Sequence, residues 1–131
     1  MWIQEKGGGT FTDNDIFSND GPQIAIEKAA KPTFTANKVY KGQDCGVLVQ
    51  EKGEGLLEEN DIYENVLAGV MITSGANPTV RKNHIHHGES AGVHVTAEGV
   101  GNVSENDIHN NRSAGVEIEG NSTPTVRVNK L

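Results

Sequence analysis

The chain has 131 residues, enough for one domain and too few for two. Its 18 acidic residues outnumber 11 Lys and Arg, for a formal net charge of −7 and a pI near 5.1. Such a surface is repelled by phosphate backbones and anionic lipid, which argues against nucleic acid or a membrane surface as partner, and no apolar run reaches the ~18–20 residues of a membrane-spanning helix.

The opening stretch, "MWIQEKGGGT", has neither the basic nor the apolar region of a secretory signal. From there the chain repeats. Asparagine stands at Asn14, Asn37, Asn60, Asn83, Asn106 and Asn129, each step being 23 residues. Two residues after each comes an aliphatic (Ile16, Val39, Ile62, Ile85, Ile108, Leu131), and three before each another apolar residue (Phe11, Phe34, Leu57, Val80, Val103, Val126). A third set of apolar positions, Ile24/Ile26, Val47/Val49, Val70/Ile72, Val93/Val95 and Val116/Ile118, completes each rung. Within a rung the apolar residues alternate with period two, the mark of short strands with one buried face, and no room remains for a helix. A fixed period of this length, built only of strands, predicts an all-β parallel β-helix: a solenoid of about six coils, with like positions stacked about 4.8 Å apart.

A second period of 46 residues overlies the first. One turn column reads Gly9, Pro32, Gly55, Pro78, Gly101, Pro124, and another reads Asn19, Gly42, Asn65, Gly88, Asn111. Odd and even coils therefore differ at their turns, and the Asn/Gly column is expected to hold a left-handed backbone throughout. The Asn14-to-Asn129 column is expected to be a structural ladder of side-chain amides. Trp2 aligns with Ala25 and Leu131 with Ile108, so the 1–131 domain is expected to begin and end in mid-coil without caps.

The repeat patterns N-x-I (Asn60, Ile62), A-G-V-x-I (Ala68, Gly69, Val70, Ile72) and N-P-T-[VL]-R-x-N-x-I (Asn77, Pro78, Thr79, Val80, Arg81, Asn83, Ile85) resemble the right-handed parallel β-helix repeats of the Beta_helix/NosD-like superfamily. Within it they are most similar to the β-helix domain of the substrate-recognising F-box subunit of SCF-type ubiquitin ligases. The resemblance spans essentially the whole chain and implies fold more than function. The superfamily includes polysaccharide lyases, hydrolases, epimerases, copper-site assembly proteins and binding scaffolds. No F-box segment and no zinc-binding Cys/His module is present, so ligase activity is not implied.

The columns also gather residues that could carry chemistry. The pairs Asp13/Asp15, Glu59/Asp61 and Glu105/Asp107 would lie ~6–7 Å apart on an extended strand, near the carboxylate spacing of inverting glycosidases. However, their second members alternate with Lys38, His84 and Lys130, which predicts an ion-pair ladder instead of catalysis. His84, His86 and His109 come close enough in the stack to share a transition metal, but His86 and His109 also continue the ring column Phe17, Tyr40, Tyr63, so stacking is the expectation and no metal or cofactor is assigned. Cys45 aligns with Ala68, Ala91 and Ala114, as an inert, half-buried thiol would. The column Trp2, Ala25, Leu48, Met71, His94, Glu117 should face outward beside a smooth glycine column (Gly46, Gly69, Gly92, Gly115), making Trp2, Leu48, Met71 and His94 the candidate binding residues.

The sequence thus predicts a non-catalytic binding or structural module presenting a flat face to a protein or carbohydrate partner. It is expected to form homo-oligomers through its open coil ends or its apolar outer stripe. The alternative is a carbohydrate-active fragment, resembling polysaccharide lyases or hydrolases, that uses outer-face Asp and Glu. Against this, every coil is 23 residues long and none carries an inserted loop.

Overall fold

In a computed structural model describing residues 1–131, the alternating apolar pattern resolves into short strands, three to a coil. The first sheet stacks Trp2–Ile3, Ile24–Ile26, Val47–Val49, Val70–Ile72, Val93–Val95 and Val116–Ile118. The second stacks Thr10–Thr12, Thr33–Thr35, Leu56–Glu58, Thr79–Arg81, Asn102–Ser104 and Thr125–Arg127. The third stacks Asp15–Phe17, Lys38–Tyr40, Asp61–Tyr63, His84–His86 and Asp107–His109. All pairing is parallel, and every register partner lies 23 residues away, as in Val70↔Val93 or Ile85↔Ile108. Two six-stranded sheets and one of five make five full turns and part of a sixth, with an isolated bridge from Asp107 to Lys130 beginning the sixth strand of the third sheet.

The three inward columns converge on one core, in which Ile26, Phe34, Val49, Val70, Ile72, Val80 and Ile85 are fully buried. Most strands bury either their middle residue or their two outer ones, too little for any coil to have a core of its own. Stability comes from stacking.

The asparagine column forms the expected ladder. Asn37 donates from its backbone N and its Nδ2 to Asn60 Oδ1, at 2.9 and 3.1 Å, and its Nδ2 donates also to the Phe11 carbonyl at 2.9 Å. Asn60, Asn83 and Asn106 repeat this set. Each amide turns the bend between the second and third sheets while satisfying its neighbours' buried polar groups.

The turns depart from expectation in one respect. The left-handed residues next to the Asn/Gly column are Ser18, Lys41, Glu64, His87 and Asn110, with φ between 52° and 58°, one position earlier than expected. The column itself alternates for reasons of space. Asn65 Oδ1 accepts from Gly42 N at 3.0 Å, and its Nδ2 donates to the Val39 carbonyl at 3.2 Å. A Cβ at Gly42 would lie 2.8 Å from the side chain of Gln23, and one at Gly88 would lie 3.1 Å from Asn111 Oδ1. Asn65 and Asn111 each reach back to the glycine of the preceding coil and accept its N–H, whereas Asn19 bonds to Gln23, whose side chain fills the space at Gly42. The Gly/Pro column follows the same logic: Gly55 has φ 105°, and a Cβ on it would meet the Pro32 carbonyl at 2.6 Å.

Candidate functional site

The outward column of the first sheet runs in register as Trp2, Ala25, Leu48, Met71, His94, Glu117. Trp2 is 68 % exposed, but Ala25 is buried and Leu48 and Met71 are half-buried, so the stripe is a shallow recess and not a continuous exposed band. About 290 Å³ of space lies beside Trp2, lined by Met1, Pro22, Ala25, Leu48 and Gln50. His94 leaves the apolar run: its Nε2 lies 2.6 Å from Glu119 Oε1 and 3.9 Å from Glu117 Oε2. The flanking glycines do not smooth this face. Gly46, Gly69 and Gly92 are buried, and a Cβ on Gly69 would come within 2.6 Å of Ile85 Cγ2 and 2.8 Å of the Gly92 carbonyl. They let the coil corner close against the core.

The carboxylate pairs do not have the geometry of extended strands. Asp13, Glu59 and Glu105 occupy left-handed bends, with φ of 59°, 57° and 58°, outside the strands that carry Asp15, Asp61 and Asp107. Nor does the alternating charge column act as an ion-pair ladder. Its register is as expected, but neither Lys38 nor Lys130 comes within 4.0 Å of a carboxylate, and its one contact of that length joins His84 Nδ1 to Asp61 Oδ1 at 3.5 Å. Exposed lysines gain too little from pairing to be held in place. A second, polar recess of about 410 Å³ lies at the turn following the third sheet, lined by Lys41, Gln43, Glu64, Val66, His87 and Glu89.

The richest cluster is on the third sheet. Phe17, Tyr40, Tyr63, His86 and His109 stack as one column of five rings, with successive centroids 4.9–5.3 Å apart. Beside it, His84 and Asp61 project from the same face, two residues before His86 and Tyr63. His86 Nε2 lies 2.7 Å from Asp61 Oδ1, His84 Nε2 lies 2.7 Å from His109 Nε2, and His86 Nδ1 lies 2.7 Å from His87 Nδ1. In each imidazole pair one ring must hold the proton and the other accept it. Burial holds the His86 imidazole below the usual range, aided by the nearby His84 and His87 and opposed by the Asp61 hydrogen bond. Its neutral form is therefore favoured at physiological pH.

Reading the columns alone misses the bonds that bring these groups together. Asp61–His86, His84–His109 and His94–Glu119 are each 25 residues apart, one period plus two, which is the diagonal between parallel strands. Diagonal neighbours on one face lie ~7–8 Å apart at Cα and are within reach of an imidazole. A spacing of 25 residues is the sequence signal that all three share. Cys45 meets expectation: it is buried, and desolvation, with the Asp44 charge adding to it, pushes its thiol up to about 12.

The family model described as "Right handed beta helix region" matches residues 1–131, and the chain belongs to this family. No curated protein and no solved structure matches it.

Proposed function

We propose that this member of the right-handed β-helix family is a non-catalytic structural and binding module that extends its own ladder by stacking on a second copy. The observation that supports this is the match between the outermost coils. Ile118, Val126 and Leu131 are exposed although they stand in core columns, and those columns continue, by the 23-residue register, into Ile3, Phe11 and Ile16 of a second copy. Within residues 1–131 the backbone N–H of Asn129 meets no asparagine Oδ1, and the Oδ1 of Asn14 accepts from no donor. Lys130 would face Asp15, continuing the charge alternation, and Pro124 would face Gly9, continuing the turn alternation. In a longer chain, further coils of its own would take the copy's place.

The outer stripe is less suited to self-association. Six strands about 4.8 Å apart, five of three residues and one of two, give a face of roughly 240 Å², far below the ~800 Å² per partner of a stable pair. That face, with its recess beside Trp2, is the place for one side chain or segment of a protein partner.

Light scattering on the 131-residue chain across a range of concentrations tests the stacking. Mass should rise with concentration, and Val126→Asp and Leu131→Asp, which each put a charge on the exposed end of a core column, should weaken the association. A monomer at every concentration overturns the proposal.

A carbohydrate-active reading is favoured by one observation only, the polar recess holding Glu64 and Glu89. Polysaccharide turnover lost in Glu64→Gln or Glu89→Gln, or in Asp61→Asn or Asp107→Asn on the neighbouring outer face, would establish that reading in place of a non-catalytic module.

A further inference from the structure

The outward face of the third sheet carries a feature that neither stacking nor a protein-binding face uses. Its donor atoms are of one chemical kind: three imidazoles with a carboxylate beside them, on three neighbouring strands. The other cluster of this type, His94 with Glu117 and Glu119, has a single imidazole and two exposed carboxylates, a set common on acidic surfaces. Cys45 is buried and protonated, so it offers no thiolate.

We infer that His84, His86 and His109 form a binding site for a divalent transition metal such as Zn²⁺, each giving one ring nitrogen, with Asp61 supplying the adjacent negative charge. Imidazole is a donor suited to Zn²⁺, Cu²⁺ and Ni²⁺ and a poor one for Ca²⁺ or Mg²⁺. The ligand atoms of the three histidines all lie within 4.8 Å of one another. Tetrahedral zinc, with bonds of about 2.0–2.1 Å, sets its ligands about 3.3 Å apart. The 2.7 Å between His84 Nε2 and His109 Nε2 needs to widen by about half an ångström. The His86 and His109 rings, stacked at 12° to one another, must turn for their lone pairs to converge. His86, held by Asp61 at Nε2, offers Nδ1 in exchange for its contact with His87.

The backbone is already placed for this. His84 and His86 lie two apart on one strand and so share a face, and His109 is the diagonal neighbour of His84 on the next strand. Strand pairing holds all three Cα atoms, which lowers the ordering cost of binding. Asp61 Oδ1, against His86 at 2.7 Å and His84 at 3.5 Å, fixes ring orientation and offsets charge as an outer carboxylate does in other metal sites. The fourth tetrahedral position is open to water, because the rings are part-exposed on the outer surface.

The test is calorimetric titration of the chelator-stripped chain with ZnCl₂, with CaCl₂ as a comparison. One Zn²⁺ should bind per chain and no Ca²⁺. His84→Gln and His109→Gln should each weaken Zn²⁺ binding by at least tenfold, Asp61→Asn by about tenfold or more, and His94→Gln should leave it unchanged. Because a variant that misfolds would also lose binding, Co²⁺ is added to the parent chain, where the intense visible bands of tetrahedral Co²⁺ are expected. Absence of saturable Zn²⁺ binding, binding that survives in the His84→Gln/His109→Gln double variant, loss in His94→Gln, or only the weak bands of six-coordinate Co²⁺ would each overturn the inference.

Discussion

The Oδ1 of Asn83 accepts two hydrogen bonds from Asn60, one from its backbone N at 2.9 Å and one from its Nδ2 at 3.0 Å. This single oxygen closes the bend of the neighbouring coil and links the two coils side chain to side chain.

Replacing an interior member should therefore be costly. Asn60→Ala strips partners from the N–H and Nδ2 of Asn37, from the Phe34 carbonyl and from Asn83 Oδ1. Asn37 Nδ2 keeps the Phe11 carbonyl and Asn83 Oδ1 keeps the Asn60 backbone N–H. At about 1–3 kcal/mol for each buried polar group left unpaired, the loss should therefore be about 2–4 kcal/mol. Asn14→Ala, at the exposed first coil, removes only its donation to Asn37 Oδ1 and should cost about 1 kcal/mol. Urea denaturation midpoints should separate the two variants clearly.

Gly69→Ala should destabilise by about 1–3 kcal/mol, the range for forcing a methyl into a packed core. The added Cβ would be 2.6 Å from Ile85 Cγ2, and the backbone on either side is pinned by pairing. Gly21→Ala, where a Cβ meets nothing within 4 Å, is the control and should change stability by less than about 0.5 kcal/mol. Thermal melting of both variants checks the contrast.

Ala36 lies exposed at φ 58°. An alanine in that conformation costs roughly 1 kcal/mol that glycine avoids, while glycine adds about 0.4–1 kcal/mol of unfolded-state entropy. The two nearly cancel. Ala36→Gly should be neutral within about 0.5 kcal/mol, where the same change in an ordinary strand or helix destabilises. A loss above 1 kcal/mol in denaturation would show that the bend is held by more than its backbone angle.

The Cys45 thiol should resist modification. With its pKa raised to about 12 it holds its proton where an unfolded cysteine, at about 8.5–9, loses it. A thiol-reactive dye at pH 8 should label the native chain orders of magnitude more slowly than the urea-unfolded one. The sign for stability follows: the unfolded state releases the proton first, so the thiol's contribution is intact below about pH 9 and is lost as pH rises towards about 12. Cys45→Ala, matching Ala68 and Ala91 in the same column, should flatten that part of the pH–stability curve.

How much of this was legible beforehand follows from what translation does to a chain. Stacking copies one coil onto the next, so any residue bonded to its image, such as Asn60 to Asn83 or Tyr40 to Tyr63, leaves a trace at the period itself. Bonds that leave the column leave no such trace, and the contacts of His84 with His109 and of His94 with Glu119 are of this kind. Backbone conformation was hidden for another reason. Residues such as Glu59, Lys82 and Lys41 carry positive φ without being glycine, because the ladder of pairing imposes the bend whichever residue stands there. The glycines at 46, 69 and 92 were visible as a column, but which way they faced depended on how sharply the corner closes over Ile62, Ile85 and Ile108.

The interlocking of Asn65 with Gly42, and of Pro32 with Gly55, gives the molecule a parity. Excising one coil, for example residues 47–69, would keep every strand in phase yet set Gly42 beside Gly88 and Pro32 beside Pro78. The Gly42 N–H would lose its acceptor, and two prolines would meet where the turn requires a glycine above each. Excising two coils would restore every neighbour. A lineage of such chains can therefore change length without damage only in even numbers of coils, and its history of duplication should be counted in steps of two.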